Sequence, residues 1–188
     1  MLDYAWLYDL VDPDEQVRGR ALERRRSAVA ERQDDPILAF LRPYPEPDMA
    51  FASFALLFLR WEACYPDDWR APDSHAYSPW SIKQGVLGRF GQSGVPDALR
   101  SEAADLVLTA VQRPYRCKDW SYALLVDHVQ TPAFQERLQA LADGADTLLS
   151  VRARFLQHVA ARPGRPLNRN SWRRWLDETG LAVRTNVR

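Results

Sequence analysis

The chain has 188 residues, 46% of them hydrophobic, and 25 Lys plus Arg balance 25 Asp plus Glu; this length buries a core in a single domain, 1–188, and would cramp two. Zero net charge excludes the whole-chain electrostatic footprint of a protein that coats nucleic acid or an anionic membrane. The two cysteines, Cys64 and Cys117, are too few for a disulfide framework and lack C-x-x-C spacing, so a reducing, cytoplasmic setting is expected.

Prolines punctuate the chain at intervals of helix length. Asp12-Pro13-Asp14-Glu15 reads as an N-cap at Asp12, Pro at the first helical position and acids in the first turn. The helix it opens runs to about Gln33, with Val17, Ala21, Leu22, Ala28 and Val29 as a modest apolar stripe. Pro36 to Leu41 allows a short helix, after which Pro43, Pro45 and Pro47 enforce an extended connector. The segment Asp48–Cys64 predicts a helix apolar almost all round, hence one enclosed by its neighbours. Its greasy run, Met49–Leu59, is 11 residues long, where a bilayer crossing needs about 20. The start, Met1-Leu2-Asp3-Tyr4, lacks the features of a secretory signal, so neither export nor membrane insertion is expected.

Residues 65–79, with three prolines and three aspartates, predict a long ordered loop. Trp80 to Phe90 can form a helix weakened by Gly85 and Gly88, with a C-cap and turn expected from Gly91 to Gly94. In Pro96–Gln112, Leu99, Ala103, Leu106, Ala110 and Val111 fall on one helical face. Lys118–Gln130 predicts another helix, with Trp120, Leu124, Val126 and Val129 in the core. Thr131-Pro132 opens the next, with Phe134, Leu138 and Leu141 inward, and Gly144 ends it. Asp146 caps a helix to about Ala161 with Leu148, Val151, Phe155 and Val159 inward; Ser171 caps the last, docked by Trp172, Trp175 and Leu176 and stopped at Gly180. No segment alternates in the manner of a strand. The expectation is an all-α single domain of seven to nine helices, with antiparallel helix pairs in a HEAT-like stack or an irregular bundle.

Residues Trp120 to Val159 carry Leu141-Ala142-Asp143-Gly144-Ala145-Asp146 followed by Val151-Arg152-Ala153-Arg154. This stretch, about a quarter of the chain, resembles a HEAT-type helical repeat, in which an acidic turn precedes a Val-Arg-x-x-Ala helix. The pair Trp172 and Trp175 is similar to the terminal capping helix of such proteins. The pattern departs from the family in lacking Pro after the aspartate, in the longer gap from Asp146 to Val151, and in having no second copy upstream. The resemblance implies a short stack of helix pairs that presents a surface.

No constellation for catalysis emerges. The glycine series from Gly85 to Gly94 has neither the spacing of a dinucleotide loop nor a Gly-Lys-Ser/Thr ending. His75, His128 and His158 lie far apart and have no second metal ligand at a helical interval, and Asp127 and His128 point about 100° apart on a helix. Cys117 beside Lys118 is better read as a small buried apolar residue than as a nucleophile. The expectation is therefore no catalytic residue, no metal and no cofactor.

Two surfaces remain. The loop 65–80 sets aromatics among prolines and acids, so Asp67, Asp68, Trp69, Asp73, His75, Tyr77 and Trp80 are candidate contacts for a protein partner, joined by Arg116 and Lys118 from the connector Gln112–Asp119. The alternative for Trp69, Tyr77 and Trp80 is that they fold inward over the helices. Such a protein would be a non-catalytic binding domain, for instance a bacterial immunity-type protein that masks a toxin. The second surface is the basic end: residues 151–188 hold nine basic and two acidic side chains. Arg162, Arg165, Arg169, Arg173 and Arg174 could clamp phosphates, which would make the chain a nucleic-acid-associated factor. A docked amphipathic helix explains the same residues without any ligand.

Overall fold

Four helices begin at a side chain that satisfies their otherwise orphaned N–H groups. Asp14 accepts from Gln16 N at 2.8 Å, Asp35 from Ile37 N at 2.9 Å, Thr131 from Phe134 N at 3.1 Å, and Asp146 from Leu148 N and Leu149 N at 2.9 and 3.0 Å. The computed structural model describes residues 4–42 and 49–180, and the predicted connector through Pro43, Pro45 and Pro47 lies outside them. The described residues form α1 (Glu15–Ala30), α2 (Pro36–Phe40), α3 (Ala52–Cys64), α4 (Pro66–Trp69), α5 (Pro79–Ser93), α6 (Arg100–Gln112), α7 (Val126–Val129), α8 (Pro132–Ala142), α9 (Thr147–Ala160) and α10 (Ser171–Thr179). Four 3-10 segments, Ala5–Val11, Met49–Phe51, Asp97–Leu99 and Asp119–Leu125, complete them, and no strand occurs among the described residues. The all-α expectation holds.

The centre of the fold is α3. Leu56, Leu57, Phe58, Leu59 and Trp61 are all buried, because the helix is packed against the first 3-10 segment, α2, α4, α5 and α6. A second layer is the pair α8 and α9. Ser150 donates to the Ala142 carbonyl at 2.5 Å while Gln157 donates to Gln139 at 2.7 Å, so residue order reverses across the pair and the helices run antiparallel. One continuous apolar cluster extends from Leu7 to Trp175 and joins the layers. No helix among the described residues is long and apolar enough to cross a membrane.

Several local expectations are corrected. The first cap is Asp14, not Asp12, whose carboxylate instead accepts from Asp14 N at 2.8 Å. Asn170 holds the N-cap position of α10 and Ser171 is its first helical residue. The segment 65–79 contains one helical turn, α4, opened by Pro66. Lys118–Gln130 is not one α-helix: Lys118 sits at φ 65°, the chain then tightens into 3-10 geometry, and α helix resumes only for α7. Leu148 falls in the first turn of α9 and faces out, and both cysteines are exposed.

The glycines of α5 also divide differently from the expectation. Gly91 stays helical because α5 presses against Leu124: a Cβ there would lie 2.9 Å from Leu124 Cβ and 3.3 Å from its carbonyl oxygen. Gly94, at φ 85°, ends the helix. Gly88 has nothing within 4 Å of a built Cβ. Gly88→Ala should therefore stabilise the protein by about 0.5–1 kcal/mol. Gly91→Ala should destabilise it by about 1–3 kcal/mol. Urea midpoints of the two variants measure both, and equal signs would show that α5 does not approach Leu124 so closely.

Candidate functional site

Pro114 ends α6, since the residue before a proline is driven out of helical geometry, and Arg113 is extended at φ −95° and ψ 164°. The connector that follows is anchored inward by charge. Arg113 Nη2 donates to Glu62 Oε2 at 2.8 Å and to Asp119 Oδ1 at 3.0 Å. Arg116 donates through its guanidinium to the Glu62 carbonyl and carboxylate, and through its backbone N–H to Asp119 Oδ2 at 2.7 Å. Lys83 reaches the same acids from α5, 2.5 Å from Asp119 Oδ1 and 3.3 Å from Glu62 Oε2, with the Tyr122 and Trp80 rings 5.2 and 5.6 Å from its Nζ. Tyr122 closes the cluster with its hydroxyl 3.4 Å from Glu62 Oε2, and burial raises its pKa well above the usual phenol value, keeping the hydroxyl protonated.

Three cations thus face two carboxylates. Glu62 and Lys83 have no exposed surface, so in this arrangement they hold the connector against α3 and α5 and do not meet a reactant. Arg113 Nε and Nη1 are buried without a hydrogen-bond partner.

Above this network lies a groove of about 480 Å³. Its walls are Val107 and Val111 of α6, Tyr115 and Trp120 of the connector region, Leu148 and Arg152 of α9, and Arg169, Trp172 and Arg173 at the start of α10; Asp119 and Tyr122 reach its floor. Arg152 Nη1 donates to the carbonyls of Val111 and Arg113 at 3.2 and 2.8 Å, satisfying the orphan C-terminal carbonyls of α6. Helix α10 is seated by rings: Trp172 packs edge-on to Phe155 at 5.1 Å, and Trp175 lies 5.5 Å from Phe155.

The sequence-predicted residues separate into three groups. In the loop 65–80, Trp69 is wholly buried, which corrects its reading as a contact residue. Phe58, Trp61 and Trp69 surround His75 at 5.6, 5.4 and 5.5 Å, and Trp80 meets Trp69 edge-on at 4.8 Å. These rings pack inward because α4 turns Trp69 toward α3. The His75 Nε2–H donates to the Trp69 carbonyl at 2.6 Å, and burial lowers the His75 pKa to about 4. Asp68 pairs with Arg18 at 3.0 Å and Asp67 with Arg70 at 2.6 Å; Asp73 is exposed at φ 63°, and Tyr77 stands out from the surface.

In the connector, Arg116 belongs to the buried network and Lys118 forms the left-handed turn beside the groove. The C-terminal arginines divide across α10. Arg169 and Arg173 line the groove, while Arg162, Arg165 and Arg174 line a separate hollow of about 340 Å³ on its other side. Sequence reasoning missed Glu62, Lys83, Arg113, Tyr115 and Arg152. The signal at hand was Glu62 inside a helix whose only other charge is Arg60, and Lys83 as one of only two lysines in an arginine-rich chain.

Among the described residues no group of three or more His, Cys, Asp or Glu could hold a metal ion. Comparison of the chain with protein-family models, with curated proteins and with solved structures finds no match, so the groove and its network are what a functional reading rests on.

Proposed function

We propose that this chain is a non-catalytic protein-binding domain that grips its partner in the groove bounded by the connector, α9 and α10. The observation that carries the reading is the gathering of exposed apolar side chains at one place. Tyr115 and Leu148 are 59% and 48% exposed, and both line this groove beside the partly exposed Trp120 and Trp172. Large rings and an aliphatic side chain around a concavity are what an interface centre uses, because they desolvate much area at small entropic cost. The buried network beneath keeps the connector, and with it Tyr115 and Trp120, in a fixed place, which lowers the ordering cost of binding. A protein that neutralises a toxin by covering it needs this combination and no reactive group, and an immunity-type role is the setting we propose.

A random peptide library displayed and selected on the full chain tests the reading. Selected peptides should bind the Leu148→Glu chain at least about tenfold more weakly, the loss expected of an interface anchor. Leu148 is exposed, so the substitution spares the fold. Unchanged affinity would remove the groove from the binding surface.

A further inference from the structure

The charge around the groove says more about its occupant than the apolar surface does. Among the described residues, Arg169 and Arg173 have no carboxylate partner, and Arg152 bonds only backbone carbonyls. Elsewhere Arg18, Arg25 and Arg70 are each paired with an aspartate. The one acid on the groove floor, Asp119, is already held by Lys83, Arg113 and the Arg116 N–H. Beneath it the buried network has one cation in excess, and a buried charge is screened far less than a surface one. Positive potential therefore concentrates in a partly apolar concavity.

Resting on the protein-binding reading above, we propose that the groove takes an acidic segment of the partner. An apolar side chain of that segment sits among Trp120, Leu148 and Trp172, and carboxylates flanking it pair with Arg152, Arg169 and Arg173. Guanidinium and carboxylate match in a two-pronged geometry, and three guanidinium groups, Arg152 on α9, Arg169 just before α10 and Arg173 within it, require the acids to be spaced on both sides of the anchor. The structure favours a peptide over a nucleic acid. The walls contributed by Val107, Val111 and Leu148 are aliphatic, and Arg162, Arg165 and Arg174 lie across α10 in the other hollow, so among the described residues these cations form no continuous track for phosphates. Residues 1–150, moreover, carry 23 acidic against 16 basic side chains and repel a long polyanion, whereas a short acidic segment meets only the local rim.

The test uses the library-selected peptides and the full chain, with a single-stranded oligothymidylate as competitor. The proposal expects enrichment of Asp and Glu next to Leu, Phe or Trp, and binding that weakens several-fold between about 50 and about 300 mM salt. It further expects a loss of about tenfold or more with Arg169→Glu plus Arg173→Glu, both side chains being exposed and making no side-chain hydrogen bond or ion pair among the described residues. Peptides that depend on Leu148 yet are neutral or basic, with salt-independent affinity, would overturn this inference and leave the protein-binding reading standing. Loss of neither affinity with Leu148→Glu nor with the arginine reversal would overturn both. Displacement of the peptides by oligothymidylate at lower concentration than by free acidic peptide would replace the acidic partner with a nucleic acid.

Discussion

Replacing Lys83 with methionine is expected to cost about 1–3 kcal/mol of folding stability, the usual penalty for taking a buried hydrogen-bond donor away from its acceptors. The side chain has no exposed surface, and its Nζ lies 2.5 Å from Asp119 and 3.3 Å from Glu62. Without it the charges balance, Arg113 and Arg116 against Glu62 and Asp119, so the cost is that of a lost donor to Asp119 Oδ1 and Glu62 Oε2 and not of an uncompensated charge. The double variant Glu62→Gln, Lys83→Met should lose clearly less than the sum of the singles, because it removes one charge of each sign together. Urea unfolding of the three variants gives the coupling directly. A cost for Lys83→Met under about 1 kcal/mol would mean that the network is solvated and does not lock the connector.

The second large effect is acid sensitivity well above the carboxylate range. His75 is enclosed by Phe58, Trp61 and Trp69, its Nδ1 is buried without a partner, and burial lowers its pKa to about 4 from the usual 6.5. The unfolded chain therefore takes up the proton first. The stabilisation that the neutral ring contributes is intact above pH 6.5 and is lost as pH falls from there toward 4, by about 2 kcal/mol at pH 5. His158, lowered by burial and then by Arg162, adds a smaller contribution of the same sign. Urea midpoints at pH 7 and pH 5 should differ accordingly in the native chain, and His75→Phe should remove most of that difference. An equal pH slope in the variant would show that the imidazole is hydrated.

Much of the helical layout is legible because it is local. Thr131 and Asp146 announce their helices by a cap that acts within three residues, and the stripes of α6 and α8 follow the helical period. The network is different in kind. Arg113 and Arg116 meet Glu62 across 51 and 54 positions of sequence, so the setting of Glu62 in a largely apolar helix hints at burial but does not name its partners, and a reading by period places charges on the outside. The same limit hid the groove. Arg169 and Arg173 belong to a tail read as one basic patch, yet only the seating of α10 on Phe155 sorts them from Arg162, Arg165 and Arg174. The aromatics of the loop 65–80 were legible as two alternatives, outward or inward, and the structure divides them: Trp69 packs inward against His75 and Trp80 while Tyr77 stays outside. Leu148 fits the periodic stripe of α9, but α9 begins beyond the edge of the body there, so its first turn meets solvent.

Amide hydrogen exchange of the full chain with and without a selected peptide tests the location of the binding surface most directly. Added protection is expected across residues 113–123, in the connector and the 3-10 segment that follows it, in the first turns of α9 around Leu148 and Arg152, and at Arg169 to Arg173. Protection confined to residues 65–80, with the connector and α10 exchanging as before, would contradict it.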